Sequence, residues 1–216
     1  MGYTVHSMGL FQKKVLPITV PRYTLGHQEV RLVVGLGNIG KEYENTRHNI
    51  GFLCIDSFAT REEFNPWVEK KDLKSILCAK LIDGQKVILC KPTTMMNLSG
   101  EAVQAVQRFY KISDRNTCVV YDEIDIDFGS VRTGTAGQSA GHNGIKSLIL
   151  HTENAFWRIR VGIGPKAHAQ MDSADHVLQS FSADQNKLLP QLKKEVQNIV
   201  GEWLSGGAKP DTRKIT

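Results

Sequence analysis

The sequence is short of several features that mark common protein classes. It contains four cysteines in 216 residues, and none of them forms a C-x-x-C pair. Each cysteine lies in an apolar stretch, so we interpret all four as small buried hydrophobic side chains in a reducing compartment. No apolar run approaches the ~20 residues that a membrane-spanning helix needs. These absences argue against a disulfide scaffold, a cysteine zinc site and a transmembrane protein, and they favour a soluble fold.

The usual signals of covalent catalysis are also missing. There is no G-x-S-x-G motif, and no serine or cysteine stands out as a nucleophile. If the protein is a hydrolase, a water molecule activated by a base therefore fits better than a covalent intermediate.

Charge is present in both signs, with a basic excess. There are 27 Lys and Arg residues against 22 Asp and Glu residues, which gives a net charge of +5 and an isoelectric point of about 9.0. A basic surface attracts polyanions such as nucleic acids, because bound cations release the counterions of phosphates. The same excess is also compatible with a role in solubility alone.

The chain is predicted to contain one catalytic domain flanked by two short segments. Residues 1–30 hold no acidic side chain before Glu29. They could be a flexible extension, a remnant of cloning or a weak organelle-targeting segment, and these alternatives stay open. The domain is expected over residues 31–205, and residues 206–216 are expected to form a basic tail that frays.

Alternating strand and helix patterns predict an α/β fold. We expect a single-domain three-layer sandwich, with a twisted, mixed and mostly parallel sheet and helices on both faces. Strands are predicted at 31–35, 75–82, 86–90, 117–121, 128–133 and 157–163, with a hairpin turn at Asp83-Gly84. Helices are predicted at 50–64, 98–110, 145–151 and 182–204, with Phe109 and Leu188 facing the core and a kink or split at Pro190.

A glycine motif follows the first predicted strand. Gly35-Leu-Gly-Asn-Ile-Gly40 matches the G-x-G-x-x-G fingerprint of dinucleotide-binding folds. The acidic residue expected about twenty positions later is Asp56, but it lies inside a predicted helix rather than at the end of a second strand. We therefore expect a tight turn that presents Asn38 at the carboxyl end of a strand, and a dinucleotide-binding oxidoreductase stays as an alternative.

His48 has a potential acidic partner elsewhere in the chain. It precedes the helix predicted at 50–64, and Asp122 follows the strand predicted at 117–121. A carboxylate that accepts a hydrogen bond from one ring nitrogen fixes the tautomer and makes the other nitrogen a better base. A capping histidine and a solvated acidic loop are the structural alternatives, and a metal site lacks further His or Cys ligands.

Two more polar motifs precede helices. Asn97 comes just before the helix at 98–110, where an N-cap is the simplest explanation. His142 and Asn143 lie between glycines at the start of the helix at 145–151, and a helix N-terminus offers free N–H groups to a phosphate or an oxyanion. With Asn38 and His48, these motifs place three amides and two imidazoles at the ends of elements.

In the same order along the chain, these motifs resemble those of the bacterial-type peptidyl-tRNA hydrolases. The matching segments are Gly-Leu-Gly-Asn-Ile-Gly, Thr-Arg-His-Asn-Ile-Gly-Phe, Thr-Met-Met-Asn-Leu-Ser-Gly, Asp-Glu-Ile-Asp and Gly-His-Asn-Gly-Ile-Lys-Ser. The resemblance implies a monomeric cytoplasmic enzyme that hydrolyses the ester between a peptide and the 3′ end of tRNA. It implies no cofactor, no metal and no membrane partner.

The resemblance also implies roles for particular residues. His48 would be the catalytic base, supported by Asp122, with Asn97 completing the catalytic set. The substrate-binding and tRNA-binding residues would be Asn38, Tyr43, Met96, Asn97, His142, Asn143, Lys146 and Arg160. The chain departs from the family at Gly134, where a phosphate-binding lysine is common, and Arg132 would have to compensate. A catalytically silent RNA-binding relative is the remaining alternative.

Overall fold

One mixed sheet organises the computed structural model, which describes residues 29–135, 137–165 and 172–215. Its strands are β1 (Val30–Gly35), β2 (Val68–Lys70), β3 (Ser75–Ile82), β4 (Gln85–Pro92), β5 (Thr117–Glu123), β6 (Ser130–Gly134), β7 (Trp157–Gly162) and β8 (Thr212–Lys214). The helices are α1 (Ile50–Arg61), α2 (Ser99–Tyr110), α3 (Asn143–His151), α4 (Ser173–Val177) and α5 (Ala183–Leu204). The prediction for the N-terminal extension lies, up to residue 28, outside the described residues.

The strand order is β2-β3-β4-β1-β5-β7-β6-β8. The four central strands β4, β1, β5 and β7 pair in parallel, and the pairs at both margins are antiparallel. Six of the eight strands therefore run in the same direction, as predicted. The carboxyl ends of β4, β1 and β5 lie side by side, which is where open α/β sheets bind their ligands.

Helices cover both faces of this sheet. Helices α1 and α5 bury apolar side chains such as Phe58 and Val196 against one face. Helices α2 and α3 bury Val103 and Leu148 against the other. The predicted three-layer sandwich is confirmed. Among the described residues, no helix is both long and apolar enough to cross a membrane.

The predicted hairpin is also confirmed. Ile82 pairs with Gln85 across the turn between β3 and β4. Asp83 and Gly84 both have positive φ values, 48° and 80°, as the type I′ hairpin turn requires. The Asp-Gly pair supplies this geometry because both residue types tolerate the left-handed region.

Two glycines bring α1 into backbone contact with the sheet. A Cβ atom at Gly35 would lie 2.5 Å from the carbonyl oxygen of Gly51, and one at Gly51 would lie 2.4 Å from the carbonyl oxygen of Val120. Helix α1 therefore begins directly against β1 and β5, and the residues that precede it lie at the carboxyl ends of these strands. The glycine motif serves helix packing here, which is a different use from cofactor binding.

Several local predictions were wrong. Phe109 is 65% exposed at the end of α2, where its ring packs against Tyr110 instead of the core. Leu188 is 43% exposed. Helix α5 continues through Pro190 as one element, so the split expected there does not occur, while the kink stays a prediction. Burial of Leu192 and later residues offsets the roughly 3 kcal/mol that an interior proline costs.

The C-terminal tail is more ordered than predicted. Thr212–Lys214 forms the edge strand β8 and pairs with β6. Arg213 binds the carboxylates of Glu195, Glu202 and Asp211. The prediction of fraying is therefore wrong for these residues. Strand β6, Glu195 and Glu202 are distant from them in the sequence, so the composition of the tail alone does not indicate that it is ordered.

Candidate active site

A cavity of about 530 Å³ opens at the carboxyl ends of the central strands, bounded by the N-terminus of α3 and by α4. Seven of the predicted site residues line it: Asn38, His48, Met96, Asn97, Asp122, His142 and Asn143. They come from five separate segments of the chain, and the strand order brings these segments together. The cavity is therefore the candidate active site.

His48 and Asp122 form a buried hydrogen-bonded pair. His48 lies in a short 3-10 turn, Arg47–Asn49, and its Nδ1 is 2.8 Å from Asp122 Oδ1. Burial alone would raise the pKa of Asp122, but the neighbouring His142 and His48 lower it by more and hold it well below its usual range. Asp122 is thus an ionised acceptor, so the proton of neutral His48 belongs on Nδ1. The lone pair of Nε2 is then left to act as a base.

His142 binds the same carboxylate oxygen. Its Nε2 is 3.0 Å from Asp122 Oδ1, and its Nδ1 accepts a hydrogen bond from the backbone N–H of Ile145 at 3.2 Å. Because Nδ1 accepts, Nε2 must carry the proton that it donates to Asp122. Both ring nitrogens of His142 are therefore engaged, which fits a residue that orients Asp122. Its implied role at the tRNA end stays a prediction.

The same three side chains have the spacing of a metal site. The nearest ligand atoms of His48, Asp122 and His142 lie within 4.8 Å of one another. A metal ion would need lone pairs where the imidazoles now present protons to Asp122, and the N–H of Ile145 disfavours the opposite tautomer of His142. The donor set suits a hydrogen-bonded network better than a metal centre.

Asn49 is a site residue that the sequence analysis missed. Its Oδ1 accepts a hydrogen bond from the backbone N–H of Asn38 at 2.8 Å, and its Nδ2 donates to the backbone carbonyl of Asn38 at 2.9 Å. Asn38 Oδ1 in turn accepts from the backbone N–H of Met96 at 2.8 Å. Asn49 therefore fixes the glycine-rich turn, and Asn38 keeps its amide N–H₂ for a ligand. Its position directly after His48 was the available signal.

The simple N-cap explanation for Asn97 is wrong. Asn97 lies in the 3-10 turn Met96–Leu98, and the N-cap residue of α2 is Leu98. The side chain of Asn97 is exposed and lines the cavity. Asn143 is also exposed there, while His142 provides the side-chain cap of α3. Oδ1 of Asn143 accepts a long hydrogen bond of 3.5 Å from Lys146 Nζ, so the N–H₂ groups of both amides are available for a substrate.

Three predicted binding residues do not line the cavity. Tyr43 lies in the 3-10 turn Lys41–Tyr43, and Lys146 is exposed on α3. Arg160 is half-buried on β7, where its Nε donates to Tyr121 Oη at 3.2 Å. Arg132 is its cross-strand partner on β6, so the two arginines occupy directly opposite positions on adjacent strands.

The departure at Gly134 has a conformational basis. Gly134 has φ of 156°, a value that L side chains rarely adopt, and a Cβ there would lie in ordinary contact with Cβ of Pro210 at 3.9 Å. A lysine at this position would therefore strain the backbone at the end of β6. Any cationic side chain that binds a phosphate near Gly134 has to come from a neighbouring residue such as Arg132.

A short segment around α4 forms a wall of the cavity that no sequence pattern predicted. Asp172, Val177 and Leu178 from this segment line the cavity. Buried Arg47 holds the segment, since its guanidinium donates to the carbonyl of His176 and its backbone N–H donates to the carbonyl of Gln179. The residue that holds this wall is therefore the immediate neighbour of His48 in the sequence.

Comparisons with known proteins point to one family. The family described as Peptidyl-tRNA hydrolase matches residues 32–216. A peptidyl-tRNA hydrolase from Fusobacterium nucleatum is 44% identical over 177 residues, covering 82% of this chain and 90% of the relative. One from Clostridium novyi is 45% identical over 185 residues, covering 85% and 96%. The crystal structure of the Acinetobacter baumannii peptidyl-tRNA hydrolase superposes with a TM-score of 0.77 at 31% identity, covering 83% of this chain and 90% of that one.

Proposed function

Because this chain belongs to the peptidyl-tRNA hydrolase family, we propose that His48 activates the water molecule that cleaves peptidyl-tRNA. The chain is a hydrolase of peptidyl-tRNA, an enzyme of translation. The observation that supports the mechanism is the buried bond from His48 Nδ1 to Asp122 Oδ1 at 2.8 Å, which leaves Nε2 as the free base.

The proposed reaction is a general-base hydrolysis. Nε2 of His48 takes a proton from water as the oxygen attacks the carbonyl carbon of the ester. The tetrahedral intermediate then collapses, the bond to the ribose 3′ oxygen breaks, and the histidine returns the proton to that oxygen. Asp122 stays ionised and stabilises the imidazolium that forms between the two steps.

Neutral amides suit a substrate of variable peptide sequence. We propose that Asn38, Asn97 and Asn143 hold the water, the peptide backbone and the 3′ end of the tRNA, with Met96 packing beside them. Amide groups pair with the donors and acceptors that every peptide backbone offers, so they impose no requirement on side chains. The N–H₂ of Asn38 is suited to stabilise the oxyanion, because its oxygen is already bonded to Met96.

The tRNA itself is proposed to approach over β6, β7 and α3. Arg132 and Arg160 pair across the two strands, and Lys146 is exposed on the helix. Phosphate contacts of this kind position a nucleic acid without reading its sequence. In this arrangement Arg132 replaces the lysine that Gly134 lacks, and Tyr43 contacts the substrate from outside the cavity.

We further propose that the enzyme works as a monomer in the cytoplasm, without a cofactor. Water and the protein groups of the cavity supply every proton that the reaction needs. Size-exclusion chromatography with light scattering tests the oligomeric state.

His48→Ala tests the base assignment. The assay is release of an N-blocked amino acid from N-blocked aminoacyl-tRNA, and we expect a loss of kcat on the order of 10²-fold or more. His151→Ala is a matched control, because that imidazole bonds to the carbonyl of Ser147 at the far end of α3. Retention of tRNA binding by the inactive variant separates a chemical defect from misfolding. Full activity of His48→Ala would exclude the proposed mechanism, and an inactive wild-type protein that binds tRNA tightly would support a silent relative.

A further inference from the structure

Glu123 is a buried acid in the cavity that the proposed mechanism leaves unused. It is the last residue of β5, it is only 6% exposed, and it lines the cavity together with His48 and Asn38. No lysine or arginine among the described residues forms a salt bridge with it. An acid in this setting destabilises the free protein unless something hydrogen-bonds to it.

The described residues use only part of the hydrogen-bond acceptor capacity of the Glu123 carboxyl group. Oε1 accepts a long hydrogen bond of 3.5 Å from the backbone N–H of Asp125, and Oε2 accepts none from the described residues. Burial raises the pKa of Glu123 above its ordinary value. Since the residue lines the cavity, its remaining acceptor capacity is available to a hydroxyl donor of a bound substrate.

The surroundings indicate which end of the substrate lies beside Glu123. In the sheet register Glu123 pairs with Gly162, two residues beyond Arg160 on β7. Arg160 and Arg132 do not line the cavity, but they lie on β7 and β6, the two strands that follow β5 in the strand order, whereas Asn38 follows β1 on the other side of β5. Phosphates favour the cationic flank, so the nucleotide end of the ester is expected next to β5 and β7.

We propose that Glu123 accepts a hydrogen bond from the 2′-hydroxyl of the terminal ribose of the tRNA. This inference rests on the proposed function, since it assumes that the ester to be cut lies within reach of His48. The 2′-hydroxyl is adjacent to the 3′ ester oxygen, so a bond to it places the scissile carbonyl next to the base. The same bond makes the enzyme selective for an RNA end, because the 2′-hydroxyl is the group that DNA lacks.

The test combines a protein change with a substrate change. The kcat/KM of wild type and of Glu123→Ala is measured on N-blocked aminoacyl-tRNA that ends in adenosine or in 2′-deoxyadenosine. We expect wild type to lose roughly 10- to 100-fold on the deoxy substrate, the range of a hydrogen bond to a charged group. Glu123→Ala should lose a similar factor on the ribose substrate and little more on the deoxy substrate, because both changes remove one interaction.

Glu123→Gln covers the case in which the alanine variant folds poorly. Its amide oxygen still accepts from the 2′-hydroxyl but is uncharged, so the preference for the ribose substrate should shrink to a few-fold. Asp127→Asn is the matched control, because it removes one negative charge from an exposed side chain farther along the same turn and should keep the wild-type preference.

Two results would overturn the proposal. One is that Glu123→Ala on the deoxy substrate loses the product of the two separate losses in kcat/KM. Such independence of the protein change and the substrate change is the pattern of a purely structural role. The other is that Glu123→Gln keeps the wild-type preference for ribose. Failure of the proposed function has a different signature, because His48→Ala would then cleave both substrates at the wild-type rate.

Discussion

Asp122→Asn is the most informative change at this site, because it keeps the size of the side chain and removes its charge. In the wild type one oxygen, Oδ1, accepts hydrogen bonds from His48 Nδ1 at 2.8 Å and from His142 Nε2 at 3.0 Å. An amide that turns its N–H₂ towards His48 would force the proton of the ring onto Nε2, so the base would be lost. An amide that turns its oxygen there would leave the imidazolium without a countercharge.

Either orientation predicts a large fall in kcat. Loss of the correct tautomer and of the countercharge should lower kcat on the order of 10²- to 10⁴-fold, with a much smaller change in KM. The assay is steady-state release of an N-blocked amino acid from its tRNA, with Asp125→Asn as a charge-matched control on the following turn. Activity of Asp122→Asn within about threefold of wild type would refute the assignment of His48 and Asp122 as a catalytic pair.

The same variant has a pH signature in stability. The pKa of Asp122 is held below its usual range in the folded protein, so its ionised form stabilises the fold above the unfolded pKa of about 3.9. This contribution is lost as the pH falls from there through the folded pKa. Asp122→Asn should therefore be less stable than wild type to urea at pH 7, and the difference should shrink below about pH 4. A difference that grows on acidification would contradict the sign of the shift.

Three further predictions concern the residues that support the site. Asn49→Ala removes both hydrogen bonds that fix Asn38, so kcat/KM should fall about tenfold and the unfolding free energy in urea by roughly 1–3 kcal/mol. Gly51→Ala places a Cβ 2.4 Å from the carbonyl oxygen of Val120, so thermal unfolding should reveal a loss of about 1–3 kcal/mol or more, and an unchanged midpoint would contradict the close approach. Arg213→Ala breaks a half-exposed ion network, so it should cost only about 1 kcal/mol while amide exchange of β8 rises markedly.

Much of the fold follows from local patterns. The strand β5, the hairpin at Asp83-Gly84 and the capped helix α5 each have signals within a few residues, and the structure contains all three. Because parallel strands align their carboxyl ends, residues that follow different strands could be expected to meet. His48 and Asp122 are such a pair, and their Nδ1 and Oδ1 atoms lie 2.8 Å apart.

The remainder depends on contacts that local patterns do not carry. The edge strand β8 exists through its pairing with β6, and α4 is held by Arg47 from a distant turn. Phe109 has the spacing of a core residue but lies at the end of its helix, beyond the packed region. Glu123 looked like an ordinary loop acid beside Asp122, and only its burial in the cavity makes it a candidate for function.

The contact between Gly35 and Gly51 also bears on how signatures are used in genome-scale searches. The first glycine of a G-x-G-x-x-G string can be required because a helix backbone passes within van der Waals distance of the strand, whatever the protein binds. Such a motif therefore indicates that a strand and a helix pack closely together. The side chains exposed at this junction determine which ligand binds. In this chain the junction exposes Asn38 and His48, so a filter that required the acidic residue at the end of a second strand would separate it from true dinucleotide-binding sequences.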